Sequence, residues 1–160
     1  NAALYWAERL IEAGCDPMLI GRRIMIHACE DVGMADPNAI VVATSCVQAF
    51  EKIGLPEGRI PLAEGIIYVA EAPKSNKVVE ALSGAENAVK TIKHETVPVY
   101  LRDPNYKGND ERVSGYKYPH DYGGWVKQQY LPDEIKDAVF YEPTENGFEK
   151  EIKERQKKRK

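Results

Sequence analysis

The sequence predicts an all-α domain: a compact helical bundle followed by a long aromatic loop. Three observations predict it. First, helix stop and start signals recur at short intervals: Asp16-Pro17, Gly33, Asp36-Pro37, Gly54, and Pro73 before Ser75. An Asp followed by Pro supplies an N-cap and a residue preset for the first helical turn, and Gly supplies the stop. Second, apolar residues between these signals recur at the helical period. Third, 43% apolar content over 160 residues is enough for one proper core.

The first helix is expected over residues 2–13, ended by Gly14. The second, over 17–32, carries Met18, Leu19, Ile24, Met25, Ile26, Ala28, Cys29 and Val32 over most of its circumference. Arg23, His27, Glu30 and Asp31 fill the remaining arc, while Arg22 falls inside the apolar one. A lone arginine there must snorkel or meet a carboxylate. The wheel therefore predicts a mostly buried, ion-paired Arg22, with a contact to another subunit as the alternative. Arg22, Arg23, His27, Glu30 and Asp31 together form the candidate polar network or interface.

The third helix, over 37–53, is plainly amphipathic and stops at Gly54. The fourth, over 61–72, is apolar nearly all round except for Glu64 and Glu71, which predicts a central position. The fifth, over 75–93, spaces Val78, Leu82, Ala85, Val89 and Ile92 at alternating four and three. That is a coiled-coil-like seam, suited to packing inside the domain or against another copy.

After His94 the periodicity fades. Six of the nine tyrosines lie within residues 97–130. This stretch is expected to wrap the bundle, its rings packed on the helices and its hydroxyls bonded to backbone. Residues 125–131 and 138–141 have the composition of a short two-stranded ribbon. Thr144 then caps a last helix over 145–155, with Glu149–Lys153, Glu151–Arg155 and Glu154–Lys158 as surface pairs four residues apart. The chain thus reads as one domain of 1–160: a helical core (1–94), a tyrosine-rich loop (95–143), and a terminal helix with a basic tail (144–160).

The formal net charge of −3 argues against wholesale attraction to nucleic acid or membrane. No apolar run approaches the roughly 18–20 residues of a membrane span. Cys15, Cys29 and Cys46 share no metal-ligand spacing and read as buried free thiols of a reducing compartment. There is no phosphate-cradling glycine loop, no HExxH and no CxxC. His120-Asp121 lacks a placed nucleophile, so no catalytic, cofactor or metal residue is assigned. The run Lys157, Lys158, Arg159 and Lys160, with few acidic neighbours, is the candidate DNA contact.

Several stretches are more specific than any of these signals. They are ALYWAERLIEAGCDP (3–17), RRIMIHACEDVGMADP (22–37), PEGRIPLAEGIIYVAEAPKSN (56–76), VPVYLRD (97–103), YKYPHDY (116–122) and FYEPTENGFEKEI (140–152). In this order and at these separations the chain resembles the C-terminal domain of the replication-associated recombination protein A family. That family is also called MgsA, with the Werner helicase-interacting protein as its eukaryotic relative. The resemblance implies an AAA+ ATPase related to clamp-loader subunits, whose ATP and magnesium bind an upstream domain outside this chain. It implies an all-α module similar to the clamp-loader collar, through which copies form a homotetramer. It also implies a bacterial, cytoplasmic, nucleoid-associated protein acting in fork maintenance, recombination and repair. DNA and single-stranded DNA-binding protein are then partners of the full-length protein. No catalytic role attaches to the matching positions. Two readings follow: an oligomerisation domain without activity of its own, or a single-stranded nucleic-acid-binding module using the aromatic loop and basic tail.

Overall fold

A computed structural model describes residues 1–92, 97–102 and 115–159. Among them are six α-helices and no strand: α1 (Ala2–Glu12), α2 (Pro17–His27), α3 (Asn38–Ile53), α4 (Arg59–Glu71), α5 (Lys77–Thr91) and α6 (Glu149–Lys157). The proline and glycine signals act as expected. The Asp16 side chain accepts from the Met18 N–H at 2.9 Å. Asp36 accepts from the Asn38 N–H at 3.0 Å with one oxygen and from the Tyr68 hydroxyl at 2.8 Å with the other. It therefore caps α3 and ties it to α4.

The core lies where α1–α4 converge. Ile20 and Ile24 of α2, Ala39, Ala43, Val47 and Phe50 of α3, and Leu62 and Val69 of α4 are all buried. Two helical glycines set the spacing. A Cβ on Gly21 would stand 3.1 Å from Val47 Cγ2, and one on Gly65 would stand 3.2 Å from Cys46 Cβ. Only hydrogen at these positions lets the three helices approach this closely. Arg59 adds a polar clamp, donating to Glu8 at 2.7 Å and Glu12 at 2.8 Å, so α1 is held to α4.

The second helix departs from its expected form. It is α-helical only to His27 and then widens into a π turn over Ala28–Val32, closed by the Gly33 N–H bonding to the Ala28 carbonyl. One consequence is local. The Asp31 carbonyl accepts the Ser75 N–H at 2.8 Å, joining the end of α2 to the segment before α5.

Other expectations also change. α4 is not wholly central: Leu62, Gly65 and Val69 are buried, but Ile60 and Ile67 are exposed. The ribbon does not form: residues 125–131 and 138–141 contain no strand, and the contacts of 128 and 129 run instead to Lys117 and Tyr100. The Gln128 amide brackets the backbone of Lys117, accepting at 3.1 Å and donating at 2.9 Å, and the Tyr100 hydroxyl donates to the Gln129 carbonyl. Nor are the rings packed away: Tyr116, Tyr118, Tyr122, Trp125 and Tyr130 are exposed. Of the cysteines only Cys46 is buried, where burial and the nearby Glu64 charge push its thiol up; Cys15 is half-buried and Cys29 exposed. His94 and the charged stretch 103–114 lie outside the described residues.

Candidate functional site

Three chain segments meet at a buried carboxylate. Glu149, at the first turn of α6, has no exposed surface. It accepts from the Ser75 hydroxyl (2.9 Å), the Tyr141 hydroxyl (3.0 Å), the Thr144 N–H (2.8 Å) and the Thr144 hydroxyl (2.6 Å). Burial pushes its pKa up, but these donors outweigh burial and hold it below the ordinary carboxylate value. The same contact works in reverse on Tyr141, whose phenol is pushed up to about 12 by burial and by the neighbouring carboxylate. Gly147 completes the junction with φ +49°; a Cβ there would meet the Ala35 carbonyl oxygen at 2.1 Å. The Phe148 N–H donates to that same carbonyl at 2.8 Å. Glu149 is therefore a structural anchor that pins α6 to the segment between α4 and α5 and to the segment before α6. The sequence pattern had placed it on the surface, paired with Lys153. Lys153 instead pairs with Glu145 at 2.7 Å.

The five polar positions of α2 and its π turn do not form one network. Arg22 is exposed, not buried, and reaches Asp16 only at 3.7 Å, with more than half of each side chain in solvent. The wheel misplaced it because only part of the apolar arc faces the core: Met18 and Met25 pack against it, while the side carrying Ile26 and Cys29 does not. That side faces an open groove of about 560 Å³ between α2, α3 and α5, lined also by Met25, Arg22 and Glu30. His27 Nδ1 pairs with Asp31 Oδ2 on a different side. With Arg23 and Lys74 these two line a trench of about 840 Å³ between α1, α2 and α4. Lys74 is occupied there as a helix stop, donating to the carbonyls of Val69 at 2.8 Å and Ala70 at 3.1 Å, and to that of Ala72.

α5 turns its faces the opposite way from a helix that finishes its packing inside the domain. Its small residues Ala81, Gly84 and Ala88 are half-buried, and Gly84 lies close enough that a Cβ would touch the Phe140 ring at 3.4 Å. Three of the larger seam residues look outward, Val78, Leu82 and Val89 being 38%, 61% and 71% exposed, while Ile92 is half-buried. No residue of α5 is fully buried.

The terminal basic run continues α6. Lys157 approaches Glu154 at 3.8 Å, Lys158 and Arg159 are exposed, and Lys160 lies outside the described residues. The His120 ring lies against that of Tyr118, centroids 4.9 Å apart and planes tilted by 47°, and has no nucleophile bonded to it among the described residues. Among the described residues no group of three His, Cys, Asp or Glu side chains is arranged to hold a metal ion. No described helix is long and apolar enough to cross a membrane.

Comparison with known proteins matches the whole chain, residues 1–160, to the family described as MgsA AAA+ ATPase C terminal. The chain is 47% identical over 155 residues to an AAA domain-containing protein of Mycobacterium tuberculosis, covering 95% of this chain and 34% of that protein. It is 45% identical over 160 residues to a Thermotoga maritima protein, covering 99% of this chain and 26% of that protein. It is 44% identical over 158 residues to replication-associated recombination protein A of Bacillus subtilis, covering 96% of this chain and 37% of that protein. The chain thus spans from about a quarter to under two-fifths of the length of these relatives. By a match over its full length, this chain belongs to the MgsA AAA+ ATPase C-terminal family.

Proposed function

We propose that this chain is the oligomerisation domain of an AAA+ ATPase acting in replication-associated recombination, and that it joins copies into a homotetramer. The observation that carries the reading is the outward seam of α5, where Leu82 and Val89 are 61% and 71% exposed and Val78 is only partly covered. A second apolar edge, Ile60 and Ile67 of α4, gives each copy two separate faces to bury. Two isologous faces per subunit are what a closed tetramer with dihedral symmetry needs. The association with replication and recombination rests on the printed name of relatives such as the Bacillus subtilis protein. DNA and single-stranded DNA-binding protein are proposed as partners of the full-length protein. ATP and magnesium are proposed to bind outside this chain, so the chain itself is expected to hydrolyse no nucleotide. Phosphate release above a buffer blank after rigorous purification would contradict that. Light scattering across a micromolar concentration series should give four times the 18.0 kDa chain mass, and a monomer throughout would overturn the proposal.

The second reading, a single-stranded nucleic-acid-binding module, is favoured by one observation. Tyr116, Tyr118, Tyr122, Trp125 and Tyr130 are exposed, with Lys117 and Lys127 interleaved. Exposed rings beside cations stack unpaired bases, each contributing about 1–3 kcal/mol. The two readings separate by salt and truncation. A tail-only contact through Lys157, Lys158, Arg159 and Lys160 has a log-log salt slope of about −3 and vanishes on truncation after Gln156. Binding that survives truncation and falls with Trp125→Ala supports the module.

A further inference from the structure

The groove between α2 and α5 carries a charge pattern that describes its own partner. Its walls are apolar, with Met25, Ile26 and Ile40 facing Val78 and Leu82. Arg22 and Glu30 also line it, eight residues apart along α2 and its π turn, or roughly 12 Å at the helical rise. Among the described residues neither charge is spent inside the chain. Arg22 has only the loose, exposed contact to Asp16, and Glu30 is exposed without an ion pair among the described residues. Ile26, 44% exposed, lies midway between them.

An apolar patch with opposite charges at its two ends is self-complementary under a two-fold rotation. A rotated copy brings its Glu30 to Arg22 and its Arg22 to Glu30, with Ile26 at the axis. Like charges would meet in the parallel orientation, so the pattern also selects the antiparallel one. The α5 seam extends the patch from Val78 to Val89, about 16 Å further along a helix.

We infer that this groove is a two-fold interface between two copies of the chain, with α2 antiparallel to its counterpart and Arg22 facing the partner subunit's Glu30. This rests on the assembly reading above and adds the α2 groove, the residue pairing and the antiparallel orientation. Cys29, also exposed in the groove, lies within the covered surface and loses its reactivity in the assembled state.

The test is charge reversal followed by sedimentation of the 160-residue chain at low salt. Arg22→Glu alone and Glu30→Arg alone each set like charges against each other at both contacts, so the mass should fall to half or less. An equimolar mixture of the two single variants restores opposite charges at both contacts, and so does the double variant; both should recover the mass of the unsubstituted chain. Arg22 and Glu30 are both exposed, so melting by circular dichroism should show each single variant folded. If the unsubstituted chain assembles but the single variants keep its full mass, a different face joins the copies and this inference alone falls. If the mixture fails to recover the mass, the two-fold pairing falls. A chain monomeric at every concentration overturns both this inference and the assembly reading.

Discussion

Replacing Glu149 with glutamine keeps the shape of the side chain but turns one of its two accepting groups into a donor. The four hydrogen-bond donors around it then face an amide that satisfies only part of them. A buried polar group left unpaired costs about 1–3 kcal/mol, which lowers the melting temperature by several degrees in a domain of this size. The effect also has a pH signature. The folded pKa of Glu149 lies below the ordinary value, so its stabilisation is fully present above about pH 4.3 and is lost as pH falls through the folded value. The difference in melting temperature between Glu149→Gln and the parent should therefore be full at neutral pH and shrink in acid. A difference that persists undiminished at pH 3 would show that the charge contributes nothing. Tyr141 acts at the other end of the scale. Its phenol titrates at about 12 when folded and about 10 when unfolded, so stability is lost as pH rises from 10 to 12. Tyr141→Phe should flatten that alkaline loss, as a melting series would show. Arg22 gives the contrasting case: Arg22→Ala should change the melting temperature of the unassembled chain little, because the exposed pair with Asp16 contributes about 0–1 kcal/mol.

At the scale of elements, the junction of α2, α4 and α6 depends on backbone that tolerates no side chain. Gly147→Ala places a Cβ against the Ala35 carbonyl and Pro73 in a left-handed conformation, so it should destabilise by more than 3 kcal/mol or release α6 altogether. Limited proteolysis near residue 147 would report the release, and a variant as resistant as the parent would contradict the account. The contrast between this junction and the helix boundaries shows what the sequence makes legible. Helices α1 to α5 begin and end within two residues of the expected positions, apart from the π turn after His27, because Asp-Pro, Gly and Pro act locally. Glu149 was misread for the opposite reason. Its surroundings in sequence offer Lys153 four residues on, whereas one true partner, Ser75, lies 74 residues away. No periodicity announces the π turn at Ala28–Val32 either, and it forms where the chain meets the segment before α5. Arg22 was misplaced because a helical wheel ranks faces by apolarity and cannot tell a face toward the core from one toward an open groove.

At the scale of the whole molecule, the described residues divide into a sealed half and an unsealed one. The helices α1–α4 share a continuous core, and α6 is locked on through Glu149. α5 lies against the bundle by its small residues and turns its large ones out. The resemblance pointed to assembly and the seam spacing left internal packing and assembly both open; only the structure says which way the seam faces. The same fold leaves the aromatic residues of 116–130 in solvent, which the expectation of packed rings did not anticipate. The central claim, that α5 presents an interface, is tested most directly by sedimentation equilibrium of the chain beside its Leu82→Asp/Val89→Asp variant. Both residues are exposed, so circular dichroism should show the variant folded, its melting temperature lowered only by the stabilisation that assembly contributes. The account predicts a tetramer for the parent and half that mass or less for the variant. An unchanged mass for the variant, or a parent that is already monomeric, would contradict it.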